Sequence, residues 1–317
     1  MSDETPSFDS LPLAKDGPHG NAWGRFGADN DLGMLNLLTP ETTKAAAQEI
    51  RSGLRVSTDC PLDKFSEPFF GRAVFGQVIK NKAPRSVNDD TLTFNTQISS
   101  QWDGYRHYGY QNEQLYFNGH ALEELLTTTK IGIHVWAANG GIVGRGVLLD
   151  YATWAERQGR SSPAFKTTPI TVEELKQVAA DQGTTFRKGD ILLLRTGWMK
   201  SYNALLQQER KELAQLPSPP AIGIESSEAT LRWLWDTAFA AIAGDQPSME
   251  AWPCQNPEFW LHEWLLAGWG MPIGELFDLE KLAEEAHKCG RYTFMFSSVP
   301  LYAPGGVASP PNGVAIL

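Results

Sequence analysis

Gln97-Ile98-Ser99-Ser100-Gln101-Trp102-Asp103-Gly104-Tyr105-Arg106-His107 is the stretch from which the rest of the chain can be read. It follows Leu92-Thr93-Phe94-Asn95-Thr96, where apolar and polar residues alternate. That alternation predicts a half-buried strand, in which every second side chain points the same way. Thr93, Asn95, Gln97, Ser99, Gln101 and Asp103 then share a polar face, and Leu92, Phe94, Ile98 and Trp102 share the other. Gly104 tolerates positive φ and permits a bend that returns His107 to the side of Asp103. A carboxylate, two amides and an imidazole would converge at the strand end. The same pattern fits a solvent-facing polar strand with a lone surface histidine, and the residues alone leave both readings open.

The chain of 317 residues is long enough for one large domain or two smaller ones. No internal repeat or low-complexity linker divides it. The expectation is an N-terminal arm over 1–22, rich in Pro and Gly and lying on the surface or on a neighbouring subunit, followed by one domain over 23–317. A formal net charge of −10 without a Lys/Arg cluster argues against a nucleic-acid partner. No run of about 18 apolar residues occurs, so no membrane span is expected. The opening Met-Ser-Asp-Glu-Thr-Pro-Ser lacks the apolar segment of a secretory signal. Cys60, Cys254 and Cys289 are far apart, with no CxxC pair, which predicts reduced thiols and a cytoplasmic location. Eleven tryptophans suit a pocket for a flat substrate or a subunit interface, as well as plain core packing.

Along the chain, Thr39-Pro40-Glu41 opens a helix that Gly53 closes. Ala121 to Thr128 reads as a short helical or irregular stretch. Ile131-Gly132-Ile133-His134-Val135-Trp136 reads as a buried strand, and so does the segment ending at Asp150. Thr171 with Glu174 forms a capping box for a helix running to Gly183. Ile191 to Thr196 is a fully buried strand. Residues 201–216 have helical spacing. Ser226 or Ser227 starts another helix, followed by a strand at Ala240–Ala243. Asn256-Pro257 opens a helix to Gly268, and Asp278 caps one ending near Gly290. Tyr292–Ser297 is a last strand, before a terminal loop from Ser309. Strands and helices in alternation indicate a mixed α/β fold.

With these landmarks in order, the chain resembles the cyclase family of metal-dependent hydrolases, which includes bacterial kynurenine formamidase, isatin hydrolase and trans-dienelactone hydrolase. The family motif His-x-Gly-Thr-His-x-Asp-x-Pro-x-His aligns with Gln97 through His107. Asp103 and His107 match, while Gln97 and Gln101 stand where the family has histidine. Further similarities are Lys188-Gly189-Asp190 through Arg195-Thr196-Gly197-Trp198, Gly244-Asp245-Gln246-Pro247-Ser248-Met249-Glu250, His262 on the helix that follows, Gly274-Glu275-Leu276, and Ala308-Ser309-Pro310. Trp23-Gly24, Leu35 through Glu41 and the Gln-Trp-Asp-Gly-x-Arg-His form of the motif mark a longer subgroup.

The resemblance implies a three-layer β/β/α swivelling-domain fold and a homodimer or homotetramer acting on a small-molecule substrate. It implies one divalent metal, Mn or Zn, held by Asp103, His262 and Glu275, since amides are weak ligands and the second family site would offer Gln97, Gln101 and Asp103. Metal-bound water would attack an amide, lactone or related carbonyl, as a hydrolase or a cyclase/lyase, with His107 as proton shuttle. Gln97 and Gln101 would bind substrate, with Trp102, Tyr105, Tyr108 and Trp23 as stacking candidates. Asp245 and Glu250 are expected to brace loops. Simpler roles also fit: His262 could pair with Glu258 four residues away, and Glu275 could serve the following helix N-terminus. The two Gln replacements motivate an alternative with no metal, in which Asp103 and His107 do acid-base dehydration, isomerisation or cyclisation in secondary metabolism. A binding protein is the third reading, and the joint presence of Asp103, His107, His262 and Glu275 speaks against it.

Overall fold

A computed structural model describes residues 5–317. Its strands, in chain order, are β1 (Arg55–Ser57), β2 (Gly76–Asn81), β3 (Asn88–Thr93), β4 (Gln101–Asp103), β5 (Ile142–Asp150), β6 (Pro169–Ile170), β7 (Ile191–Arg195), β8 (Gly223–Ile224), β9 (Ala241–Gly244), β10 (Ile273–Glu275), β11 (Thr293–Ser298), β12 (Ala308–Ser309) and β13 (Gly313–Ile316). Nine of them form one mixed sheet in the order β1-β13-β11-β5-β7-β9-β10-β4-β12. Its centre, β5-β7-β9-β10, is parallel, and β4 joins antiparallel to β10. The central strands are apolar throughout because the sheet is covered on both faces: Leu192, Leu193, Ile242 and Ala243 are fully buried. This is the mixed α/β architecture the sequence indicated.

The helix of the Thr171 capping box, Val172–Asp181, forms as expected, with both reciprocal bonds of the box in place. Ser227 caps Glu228–Thr237, and its hydroxyl accepts from the Thr230 N–H. The family landmarks around β7 tie the sheet to its helices. Arg195 bonds Asp150 and Glu280, and Arg145 bonds Asp190 and Glu49. Asp245 accepts from the Thr196 N–H and hydroxyl and from the Gly197 and Met199 N–H groups, so it is a loop brace.

Five local expectations are corrected. The strand from Leu92 to Asp103 is interrupted: β3 stops at Thr93, and the Asn95 side chain accepts from the Gln97 N–H at 2.8 Å, an Asx turn that ends the alternation before β4. Ile131–Trp136 is a turn followed by a helix, His134–Ala138, docked through the Ile133 N–H on the Gly306 carbonyl. Residues 201–216 are divided between two helices, Trp198–Ala204 and Gln207–Ala214. The helix from Asn256 is broken: Pro257–Phe259 is a 3₁₀ turn, Trp260 is extended, and Glu263–Trp269 is a π-helix. The chain beyond Ser309 continues into β13 beside β1 rather than ending as a loop.

Residues 1–4 of the expected arm lie outside the described residues. The described part lies on its own chain: Phe8 stacks on Trp264 at 5.8 Å, and the Trp235 and Trp269 indoles donate to the Pro6 and Gly20 carbonyls. No described helix is long and apolar enough to cross a membrane.

Candidate active site

Register assembles the site. Gln101 lies opposite Glu275 across the β4–β10 pair, and Trp102 lies opposite Gly274. Gln101 and Asp103 therefore point to the same side as Glu275, and the Gln101 amide donates to Glu275 Oε2 at 2.9 Å. Trp102 points to the other side and packs on Phe277, in space left by Gly274. The Gly104 that follows has ordinary φ. It is required because a Cβ there would lie 2.7 Å from the Val307 carbonyl oxygen. The turn closed by the His107 N–H on the Gly104 carbonyl then brings His107 Nε2 to 3.9 Å from Asp103 Oδ2.

Gln97 returns to the same point from the Asx turn. Its amide donates to Asp103 Oδ1 at 2.7 Å and lies 3.2 Å from both ring nitrogens of His107. From the far side, the residues leading into the π-helix bring in His262. Its Nδ1 lies 2.8 Å from both Glu250 oxygens, and its Nε2 is 3.3 Å from Glu275 Oε1. A π-turn at such a place is a common functional distortion. Glu258 does not pair with His262.

Asp103, Glu250 and Glu275 are almost wholly buried. Burial, followed by repulsion from Asp103, pushes the Glu275 carboxyl up to about 7. Burial opposes the charge on His262, but Glu250 and Glu275 outweigh it and hold its imidazole well above the ordinary value. Burial lowers His107, against the pull of Asp103. Asp103 Oδ2, Gln101 Oε1 and Ser248 Oγ are buried without a hydrogen-bond partner. One ligand atom each from Asp103, His107 and His262 lies within 4.8 Å of the others. A buried carboxylate with one oxygen lacking a donor, grouped with two imidazoles, fits a cation.

Of the residues expected at the site, the fold unites Gln97, Gln101, Asp103, His107, His262 and Glu275. It separates three others. Trp102 is core and donates to the Ser298 hydroxyl, Tyr105 is fully buried and donates to the Leu32 carbonyl, and Trp23 donates to the Ala267 carbonyl. None of the three lines the cavity. That cavity, about 220 Å³, is walled instead by Phe70, Tyr108, Trp252 and Trp260, with Arg72 and Ser248 alongside His107, His262 and Glu275. Glu250, taken from sequence for a brace, is the partner of His262. Its place in Ser248-Met249-Glu250 was visible, but not the chain reversal that joins it to His262.

The Cyclase family model matches residues 22–251, more than half of the chain. The chain belongs to the Cyclase family. A crystal structure of a novel cyclase is similar at 30% identity and a TM-score of 0.83, covering 94% of this chain and 99% of that one. Isatin hydrolase A from Labrenzia aggregata, bound to benzyl benzoate, is similar at 15% identity and a TM-score of 0.60, covering 89% and 98% of the two chains. Isatin hydrolase A from Ralstonia solanacearum is similar at 16% identity and a TM-score of 0.59, covering 87% and 97%. At these identities the isatin hydrolases share the fold with this Cyclase-family chain. No curated protein matches it.

Proposed function

We propose that this Cyclase-family protein is a metal-dependent hydrolase, or a cyclase/lyase working on the same bonds, that acts on a small amide, lactone or related carbonyl compound. The observation that carries the reading is the fully buried Asp103: its Oδ2 has no donor, and it forms with His107 and His262 a group whose ligand atoms lie within 4.8 Å of one another. Asp103, His262 and Glu275 would hold one divalent ion, Glu275 Oε1 lying 3.3 Å from His262 Nε2 and accepting from the Met249 N–H; the Asp103–His107–His262 group makes His107 the competing third ligand. Such an ion supplies Lewis acidity and acidifies a water. Mn and Zn both suit two carboxylates and an imidazole.

The chain's own residues set up the rest. Glu250 fixes the tautomer of His262 through Nδ1, leaving Nε2 for the site. Gln97 and Gln101 act as hydrogen-bond donors to Asp103 and Glu275, so each amide orients one carboxylate where the family motif places an imidazole. His107, 3.9 Å from Asp103, takes the proton from the attacking water and returns it to the leaving group. The Ser248 hydroxyl, which has no partner, is placed to donate to the developing oxyanion.

One observation favours a second reading. His262 lies between Glu250 and Glu275, and the Gln97 and Gln101 amides donate to Asp103 and Glu275, so each of the three buried carboxylates has a protein partner. Acid-base dehydration, isomerisation or cyclisation without a metal would use Asp103 and His107. Elemental analysis of protein purified without added metal, followed by chelation and add-back against an ester and amide panel, decides. The hydrolase reading expects about one ion per chain, with turnover lost on chelation and restored by Mn or Zn. A metal-free chain whose turnover ignores chelator overturns it.

A further inference from the structure

The residues around the mouth of the cavity say more about its ligand than the buried carboxylates do. Phe70, Trp252, Trp260 and Tyr108 form a continuous aromatic wall, with successive centroids 6.1, 6.3 and 5.4 Å apart, and Tyr108 leads on to His262 at 5.4 Å. A cavity of about 220 Å³ lies below the range for drug-sized ligands and admits one ring or a fused pair. Arg72 sits in the same wall. Its Nη1 donates to the Gln97 carbonyl at 2.7 Å, and its guanidinium lies 5.3 Å from the Phe70 ring centroid. It lines the same cavity as His107 and Glu275, and among the described residues no carboxylate pairs with it. The indole N–H groups of Trp252 and Trp260 are likewise buried without an acceptor. A flat aromatic face and three groups with unused donors suit an aromatic ring bearing an anion. The guanidinium at the mouth disfavours an organic cation.

We infer that the substrate is a one- or two-ring aromatic compound carrying a carboxylate or similar anionic group, with Arg72 as the specificity-determining anion contact and Trp252 and Trp260 as the ring seat. This rests on the hydrolase reading only in placing the scissile carbonyl beside Asp103 and His107. Substrate recognition itself is separable from turnover. The anion points to Arg72, away from Asp103 and Glu275, which would repel it. The aromatic seat and the anion contact together orient the ring, so that the carbonyl faces the buried end.

Calorimetric titration with 2-naphthoate and its neutral analogue 2-naphthamide tests this on the full chain, as purified and after chelation. The expected result is that naphthoate binds about tenfold or more tightly than naphthamide in both preparations. Arg72→Gln should abolish the preference, and Arg72→Lys should retain part of it. Circular dichroism of both variants establishes that they are folded. A preference that survives in Arg72→Gln but disappears on chelation places the anion on the metal; it overturns the role of Arg72 and leaves the hydrolase reading standing. Equal affinity for the two probes, or no binding of either, also overturns the inference. Absence of metal with the preference intact overturns only the hydrolase reading.

Discussion

At the scale of single residues, the two glutamines decide how this site differs from the motif it resembles. An imidazole at position 97 or 101 would offer a ligand nitrogen. The amides instead direct N–H groups at Asp103 and Glu275 and leave the Gln101 carbonyl oxygen unpartnered. His107 lies close enough to Asp103 to be either a proton carrier or a ligand, and one variant separates these roles. His107→Ala is expected to keep the metal, measured by elemental analysis, while kcat falls by about 10²–10⁴, the usual worth of a positioned acid-base group. Loss of the ion in that variant would make His107 a ligand. Glu250 touches the site only through His262, so Glu250→Gln should weaken metal affinity about 10- to 100-fold in a competition titration with a chelator. Unchanged affinity would reduce Glu250 to the brace that its sequence context suggested.

At the scale of elements, the readable parts are those whose signals are local. The Thr171–Glu174 box and the Ser227 cap involve groups three residues apart, and the helices form where those signals stand. β7 was legible because the four-residue apolar run Ile191–Leu194 suits a strand covered on both faces. Ile131–Trp136 was misread because its apolar, β-branched composition favours a strand, while its conformation is set by a distant loop: Gly132 packs against Gly305, and Ile133 donates to Gly306. Gly104 is a similar case. Its role is close approach to Val307, which no local pattern announces. Gly104→Ala should therefore cost about 1–3 kcal/mol, the usual range for overpacking, read as a lower urea midpoint at unchanged slope. A midpoint equal to that of the parent would show that the Val307 carbonyl yields freely.

At the scale of the whole molecule, buried charge couples stability to pH outside the site as well. Burial pushes the Asp59 carboxyl from its ordinary 3.8 up to about 6, while the Gly313 N–H pulls the other way. The folded chain then binds more protons than the unfolded chain between these values. The contribution of Asp59 to stability is fully present below about pH 4 and is lost as pH rises through about 6. Asp59→Asn keeps a carbonyl for Gly313 and removes that loss. The melting temperature of the variant minus that of the parent should rise between pH 4 and pH 7. A constant difference would show that Asp59 titrates normally in the fold.

The amino-acid sequence by itself determined the α/β class, the capped helices, the buried parallel strands and the identity of Asp103, His107, His262 and Glu275 as candidates. These follow from residue type, short-range spacing and resemblance. Only the tertiary structure decided that Gln101 faces Glu275, that Glu250 holds His262, and that Phe70, Arg72, Trp252 and Trp260 form the wall while Trp102 and Tyr105 do not. The reason is that strand register and chain reversal bring together groups as distant in sequence as Gln101 and Glu275, 174 residues apart, and side-chain periodicity within a segment carries no information about which distant segment it will meet.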